Sequence, residues 1–321
     1  MNIRFVVLFL FIAVICKARE PDVFPRDTSF TLYSAFQKER KTYPFIQAIY
    51  PVVPPTIEVM PDLVYAKYGE REMHIDVYSP KNKKLDRPTL LFVFGGGWQS
   101  GNKIMEAPMA IHFAELGYAT ATVEYRLSPE ALYPAAVFDI KTAIRWLRKN
   151  AQQLHIDTEK IAISGTSAGG QLAALVAATN CSDFSIDSTF YPEYSSDVQA
   201  LIDIDGVLAF IHPESGEGAD QPGKPSAATN WFGGNNEEKT ALWNEASALN
   251  HVNKNMPPVL FINSQHPRFH AGRDDMIEIL DSLGIYSEVH TLPNTPHPFW
   301  LFDPWFDPTV NWMEQFLEKH F

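Results

Sequence analysis

The sequence predicts an α/β fold with a mostly parallel sheet and helices on both faces, and three observations carry this prediction. Apolar strand patterns alternate with helical patterns over residues 119–320. The stretch Thr89–Phe94 is continuously apolar, as is typical of a central strand that is buried on both faces. The pentapeptide Gly165–Gly169, of the form Gly-x-Ser-x-Gly, lies between an apolar strand and a helix rich in Ala and Leu, which predicts a sharp nucleophile turn.

Size and charge limit the classes of protein to be considered. A chain of 321 residues can bury a large core, as one α/β domain with insertions or as two smaller domains. Its apolar content is ordinary for a globular protein, so disorder is not expected. The net charge of -12 argues against nucleic acid or an anionic membrane as a partner.

The first 18 residues have the pattern of a secretory signal peptide. A basic start is followed by the apolar run Phe5–Ile15, which is too short to span a membrane, and by a small residue, Ala18, that suits cleavage. We therefore expect a secreted or periplasmic protein. The alternatives are a buried N-terminal helix and a lipid anchor at Cys16, which the bulky Ile15 disfavours. After cleavage only Cys181 would remain, so no internal disulfide is expected.

The remaining chain divides into an arm, a main domain and an insertion. Residues 19–61 are polar and then rich in proline, which predicts an extended arm on the surface of the domain at 62–321. Residues 206–256 lack regular periodicity and are expected to form a cap insertion that selects the substrate. An antiparallel edge pair is predicted at Leu63–Tyr68 and Met73–Tyr78, where apolar and polar residues alternate. Further strands are predicted at 119–123, 161–163, 198–204, 259–262 and 288–292, with helices at 104–116, 134–150, 168–178, 273–283 and 309–319.

Ser167 is the candidate nucleophile of the Gly-x-Ser-x-Gly turn. Glycine two positions to either side leaves room for a strained serine between neighbouring strand and helix. The turn lifts the hydroxyl above the sheet edge, where the next helix directs its free N–H groups and positive dipole end. The alternative is a glycine-rich helix start that only packs tightly.

Five motifs together resemble those of a known fold family. They occur in its order and spacing and are Phe94-Gly-Gly-Gly-Trp98, Glu124–Pro129, Tyr133–Ala136, Gly165–Gly169 and Pro296-His297. Over residues 62–320 the chain resembles the α/β-hydrolase fold, in the branch that holds hormone-sensitive-lipase-like carboxylesterases and bacterial feruloyl, acetyl-xylan and pectin esterases. The motifs are specific to fold and nucleophile rather than to substrate.

The resemblance implies an oxyanion hole built from the amides of Gly96, Gly97 and Ala168. Such donors stabilise the negative charge of a tetrahedral intermediate, and loss of one typically costs about 3 kcal/mol. The family usually has His where this chain has Phe94, so a polar support of the glycine loop is absent while the amides remain. A plain strand-to-loop turn is the alternative.

His297 is the candidate base, because it follows the last predicted strand and precedes the final helix. The orienting acid is less evident, since the family's usual position falls in 264–270, which contains no carboxylate. Asp205 is our first choice, because it ends an otherwise apolar strand, where a buried carboxylate needs a partner. Asp274 and then Asp275 are the alternatives, although Asp at a helix start is also favoured as a cap.

No cofactor or metal is expected. The sequence has no His-Glu-x-x-His motif, no cysteine pair and no phosphate-binding loop. The aromatic run Phe299–Phe306, which includes Trp300, either forms a platform for sugar rings or packs the last helix onto the sheet. Trp98 and Trp231 are candidate walls of the substrate site.

These observations lead us to expect a secreted serine esterase that acts through an acyl-enzyme. The expected substrate is an esterified plant cell-wall polysaccharide or oligosaccharide such as xylan or pectin, with acetyl as the first choice of acyl group and feruloyl or methyl esters as further candidates. Two alternatives remain: a peptidase of the same fold, which would normally bring a further large domain, and an inactive carbohydrate-binding relative of the esterases.

Overall fold

The computed structural model describes residues 24–82, 87–181 and 189–321. The predicted signal peptide, including Cys16, and the first residues of the predicted arm lie outside the described residues.

Within the described residues, eight strands form one central sheet, and two short strands form a separate ribbon. In chain order the strands are β1 (Gln47–Ala48), β2 (Ile57–Tyr68), β3 (Arg71–Pro80), β4 (Arg87–Val93), β5 (Ala119–Val123), β6 (Ile156–Thr166), β7 (Ala200–Ile204), β8 (Val259–Ser264), β9 (Ser287–Leu292) and β10 (Phe302–Asp303). The sheet order is β2-β3-β5-β4-β6-β7-β8-β9. Strand β3 pairs antiparallel with β2 and β5, and the pairs from β5 to β9 are parallel.

Helices cover both faces of this sheet. In chain order they are α1 (Leu32–Glu39), α2 (Ala107–Glu115), α3 (Ala135–Lys149), α4 (Ala151–Leu154), α5 (Ala168–Ala178), α6 (Ala227–Phe232), α7 (Thr240–Glu245), α8 (Arg273–Leu283) and α9 (Phe306–His320). No helix in the described part of the chain has the length and apolar character needed to cross a membrane.

Successive residues of the buried strands divide between two hydrophobic cores. Leu91 and Val93 of β4 join the core under α3, α5 and α8, whereas Leu90 and Phe92 join the core under α2 and α9. Because side chains alternate along a strand, a continuously apolar strand supplies both cores at once. This explains why Thr89–Phe94 has no polar face in the sequence.

Two stretches contain more regular structure than their sequences predict. The expected extended arm contains α1, because Thr31 and Ser34 form a reciprocal hydrogen-bonded cap at its start. In the insertion at 206–256, α6 and α7 are too short to show a helical apolar repeat, although Ser226 caps α6 by accepting the Thr229 N–H. Strand β2 also begins at Ile57, before the predicted domain boundary at 62.

Candidate active site

Ser167 lies at the junction of β6 and α5 with a strained backbone, φ 54° and ψ -120°. Positive φ is uncommon outside glycine. Its neighbours must be small, since a Cβ on Gly165 would lie 2.0 Å from the Gly169 carbonyl oxygen and one on Gly169 would lie 2.1 Å from that of Val93. The Ser167 N–H donates to the Ile204 carbonyl at 2.8 Å, which ties the turn to the neighbouring strand. A side chain at position 165 or 169 would therefore collide with backbone atoms, which explains the glycine at both positions.

His297 connects Ser167 to Asp205. Its Nε2 lies 2.8 Å from Ser167 Oγ, and its Nδ1 lies 2.9 Å from Asp205 Oδ2. The second carboxylate oxygen, Oδ1, accepts the Ser264 backbone N–H at 2.8 Å. With the Nδ1 proton directed at Asp205, Nε2 is free to accept the serine proton. The structure thus brings together the three residues that were the first choices for nucleophile, base and acid.

Adjacent parallel strands place these groups at one edge of the sheet. Ser167 follows β6, Asp205 follows β7, Ser264 ends β8 and His297 follows β9. The Asp205 side chain is fully buried, whereas that of His297 keeps 20% of its surface exposed. The carboxylate is therefore shielded from water while the imidazole remains open to a substrate.

Two aromatic rings hold the imidazole in place. Phe269 stacks on His297 with 3.4 Å between ring centroids, and Trp300 meets it edge-on at 5.4 Å. Because such ring pairs are favourable contacts, the two rings help to fix the plane of the imidazole. Phe269 was missed by the sequence analysis, although an aromatic residue just past the carboxyl end of β8 was a usable signal.

The alternative acids lie elsewhere. Asp274 and Asp275 are in the first turn of α8, with side chains 70% and 60% exposed. Asp274 pairs with Arg273 at 2.7 Å, and Asp275 lies 3.2 Å from His212. Neither contacts His297, so the structure does not support them as the acid. Their positions fit acidic residues that complement a helix N-terminus.

The glycine loop, which comprises residues 94–100, lies directly against Ser167. A Cβ on Gly95 would lie 2.9 Å from the Ser167 Cβ, and Gly96 and Gly97 have φ values of 134° and 60°. No described residue accepts a hydrogen bond from the N–H of Gly96 or Gly97. Ala168 is the first residue of α5, where backbone N–H groups have no partner within the helix. The three predicted oxyanion donors are therefore free to bind a ligand oxygen beside Ser167.

Tyr125 supports the glycine loop through its contacts with Phe94. The two rings stack at 4.4 Å, and the Tyr125 hydroxyl donates to the Phe94 carbonyl oxygen at 2.9 Å. Burial raises the pKa of Tyr125, so the hydroxyl stays protonated and remains a donor. The tyrosine thus supplies a hydrogen bond to the loop that the Phe94 side chain cannot.

The N-terminal segment also contacts this loop. The Asp27 N–H donates to the Gln99 carbonyl at 3.1 Å, and the Phe30 N–H donates to Ser100 Oγ at 2.9 Å. Ser100 in turn donates its backbone N–H to the Gly96 carbonyl at 3.0 Å. The arm is therefore linked by hydrogen bonds to the loop that contains the predicted oxyanion donors, a contact that its sequence does not indicate.

The predicted aromatic contacts with substrate are not supported by the structure. Trp98, Trp231 and Trp300 are 3%, 0% and 2% exposed. Trp98 stacks on Trp231 at 4.9 Å and donates its Nε1 hydrogen to Gln171. Trp300 lies in the core under α9 with the other rings of its run, which are Phe299, Phe302, Trp305 and Phe306. Of the two alternatives for this run, the structure supports the second, in which the rings pack the closing helix onto the sheet.

The chain is similar in sequence to a known protein family and to curated proteins. The BD-FAE family model matches residues 75–285. The probable carboxylic ester hydrolase LipM of Mycobacterium tuberculosis is 27% identical over 247 residues, covering 73% of this chain and 52% of LipM. The chain therefore spans about half the length of this curated relative.

Solved structures of similar shape confirm the predicted α/β-hydrolase fold. A truncated form of a carbohydrate esterase from gut microbiota matches with a TM-score of 0.71 and 23% identity, covering 84% of this chain and all of that one. The propionate-bound esterase Est2 of Thermogutta terrifontis matches with a TM-score of 0.65 and 25% identity, covering 83% of this chain and 94% of that one.

Proposed function

The chain belongs to the BD-FAE family and has the α/β-hydrolase fold, and from this premise we propose that it is a serine carboxylic-ester hydrolase. The observation that carries the proposal is the His297 ring, which is hydrogen-bonded on one side to a strained Ser167 and on the other to a buried Asp205. The LipM and Est2 names support the same class of reaction.

The proposed reaction has two halves. Ser167 Oγ attacks the ester carbonyl carbon while His297 Nε2 takes the hydroxyl proton, and the amides of Gly96, Gly97 and Ala168 bind the resulting oxyanion. Collapse breaks the ester C–O bond, and the imidazolium returns the proton to the leaving alcohol. Water then attacks the acyl-enzyme with His297 as base, which releases the carboxylic acid and restores Ser167.

Asp205 has an electrostatic role in both halves. It accepts the Nδ1–H bond, keeps Nε2 unprotonated before each attack, and stabilises the imidazolium afterwards. Its second oxygen is held by the Ser264 N–H, so the carboxylate is oriented from both sides. The inactive-relative alternative drew its support from an acid that the sequence did not identify and from Phe94; the positions of Asp205 and Tyr125 weaken both arguments.

We propose acetylated plant cell-wall polysaccharide, such as xylan or pectin, as the substrate. The family resemblance supports this choice, and the name of the gut carbohydrate esterase points to the same class of substrate. The aromatic run Phe299–Phe306 does not support this choice of substrate, because its rings are buried. Export by an N-terminal signal peptide belongs to the same proposal, since polymer substrates lie outside the cell.

The test compares purified wild type and Ser167→Ala on p-nitrophenyl acetate, on acetylated xylan and pectin, and on peptides. We expect ester cleavage by wild type that Ser167→Ala abolishes, and acetate release from at least one polymer. Ester cleavage that persists in Ser167→Ala would contradict the serine mechanism. Turnover of peptides without acetate release would instead support the peptidase alternative.

A further inference from the structure

Thr166 joins the two parts of the proposed oxyanion hole. The Gly95 N–H donates to Thr166 Oγ1 at 3.1 Å. Gly95 immediately precedes the donor Gly96, and Thr166 immediately precedes Ser167. A Cβ on Gly95 would lie 2.5 Å from the Thr166 carbonyl oxygen, so the two segments are in close contact. The position of the glycine-loop amides relative to the serine is therefore set at this junction.

Glu106 determines the direction of the Thr166 hydroxyl. A hydroxyl has one proton, so Thr166 can accept from Gly95 in a defined orientation only if its own proton has an acceptor elsewhere. Glu106 Oε1 is that acceptor, at 2.8 Å. Glu106 is 1% exposed and ends the 3-10 turn Lys103–Glu106, which follows the glycine loop in the chain. A directed series of hydrogen bonds thus runs from Gly95 through Thr166 to Glu106.

We propose that Glu106 is a positioning residue for the oxyanion hole, acting through Thr166 to hold the glycine loop against Ser167. This inference rests on the proposed ester-hydrolase function. Glu106 takes no part in the mechanism above, and it contacts neither Ser167 nor His297. Burying a carboxyl group is costly, and such groups are almost never fully buried without a partner. The partner that the structure gives Glu106 is the Thr166 hydroxyl.

The surroundings of Glu106 favour its neutral form. Burial raises its pKa to about 8, and its Oε2 is buried without a hydrogen-bond partner among the described residues. The hydroxyl that Glu106 accepts from belongs to Thr166, the last residue of β6, and Thr166 in turn accepts from Gly95 in the loop after β4; neither residue titrates. Tyr125, which follows β5, is a titratable group that interacts with Glu106, and burial raises its pKa. A neutral carboxyl accepts from Thr166 as an amide would. Glutamine is therefore the conservative substitute.

The experiment measures kcat, KM and inhibition by phenylboronic acid, which forms a tetrahedral adduct with an active-site serine and tests oxyanion stabilisation. For Glu106→Leu and Thr166→Val we expect kcat to fall roughly 10- to 100-fold, because a displacement of about 1 Å can cost this much. The boronate inhibition constant should rise in parallel while KM stays within about two-fold. Glu106→Gln and Thr166→Ser should restore most of kcat.

Thr120→Val is the matched control. Thr120 is a fully buried threonine whose hydroxyl donates to the Ala110 carbonyl of α2 at 2.8 Å, away from the glycine loop. The Thr120→Val substitution should lower the melting temperature while kcat and boronate affinity stay at wild-type values. If Glu106→Leu does not fold, Thr166→Val against Thr166→Ser makes the same comparison.

Two results would overturn the inference. One is wild-type boronate affinity in a folded Glu106→Leu or Thr166→Val protein. The other is a Glu106→Gln variant as impaired as Glu106→Leu, which would deny that a hydrogen-bond acceptor is what the site needs. A wild-type protein that hydrolyses no ester would instead overturn the proposed function.

Discussion

Replacing Asp205 by Asn should remove most of the activity, and the structure gives the reason. Both carboxylate oxygens of Asp205 accept hydrogen bonds from donors, Oδ1 from the Ser264 N–H and Oδ2 from His297 Nδ1. Asn has a single acceptor oxygen, so one of the two donors must face its NH₂ group.

Each orientation of the amide has a cost. If the NH₂ group faces His297, Nδ1 must accept, the ring proton moves to Nε2, and Ser167 loses its base. If the NH₂ group faces Ser264, a buried backbone N–H loses its partner, at about 1–3 kcal/mol. The wrong tautomer is the cheaper state, and either orientation also lacks the negative charge that stabilises the imidazolium, so we expect kcat to fall about 10⁴-fold, as in a comparable triad. This corresponds to about 5 kcal/mol in activation free energy.

The assay is p-nitrophenyl acetate hydrolysis by Asp205→Asn, with Ser167→Ala as the floor and Asp274→Asn as the control. The Asp274 side chain is 70% exposed and paired with Arg273, so its variant should keep wild-type kcat. Circular dichroism would show whether Asp205→Asn is folded. A folded Asp205→Asn enzyme with more than about a tenth of wild-type kcat would refute the assignment of the acid, as would a large loss in Asp274→Asn.

Three further predictions concern other positions. Gly95→Ala should lower kcat/KM about 100-fold, because its Cβ would lie 2.5 Å from a backbone oxygen beside Ser167; Gly216→Ala, whose nearest contact is 3.5 Å, should have wild-type kinetics. Asp139→Ala should cost about 3–5 kcal/mol in urea unfolding, since it removes the buried partner of Arg126; a cost below about 1 kcal/mol would contradict this. The pKa of Glu106 rises on folding from 4.5 to about 8, so its protonated form stabilises the protein fully below pH 4.5 and this stability is lost as pH rises to about 8. The melting temperature of Glu106→Gln relative to that of wild type should therefore rise between pH 5 and pH 8. If this difference does not change with pH, the buried Glu106 carboxyl is not neutral as inferred.

Much of the fold could be predicted because its signals are local. The apolar strands, the edge pair and the helix Arg273–Leu283 follow from periodicity within a short window, and the structure has them close to the predicted positions. The helix at Leu32–Glu39 was missed because it is short: its apolar residues Leu32, Ala35 and Phe36 cover little more than one turn, and the helix is stabilised by its cap and by their contacts with the core under α9.

The candidate site was predictable to the extent that each residue carries a signal of its own. Ser167 and His297 stand in recognisable motifs, and Asp205 stands out as a carboxylate at the end of an apolar strand. Phe269 on His297 and the N-terminal segment on the glycine loop are contacts between segments that are far apart in sequence. The burial of Trp98 and Trp300 was equally hidden, because composition does not tell which way an aromatic ring faces.

The stacked indoles of Trp98 and Trp231 have a consequence for protein engineering. Trp98 belongs to the glycine loop and Trp231 to the insertion at 206–256. Gln171 also links the loop to the insertion, because it accepts a hydrogen bond from Trp98 and donates one to the Ala246 carbonyl. A chimera that exchanged the insertion for that of a homologue would therefore also disturb the loop that contains the proposed oxyanion donors. Successful exchanges should need Trp98 and Gln171 to be transplanted as a unit with the new segment.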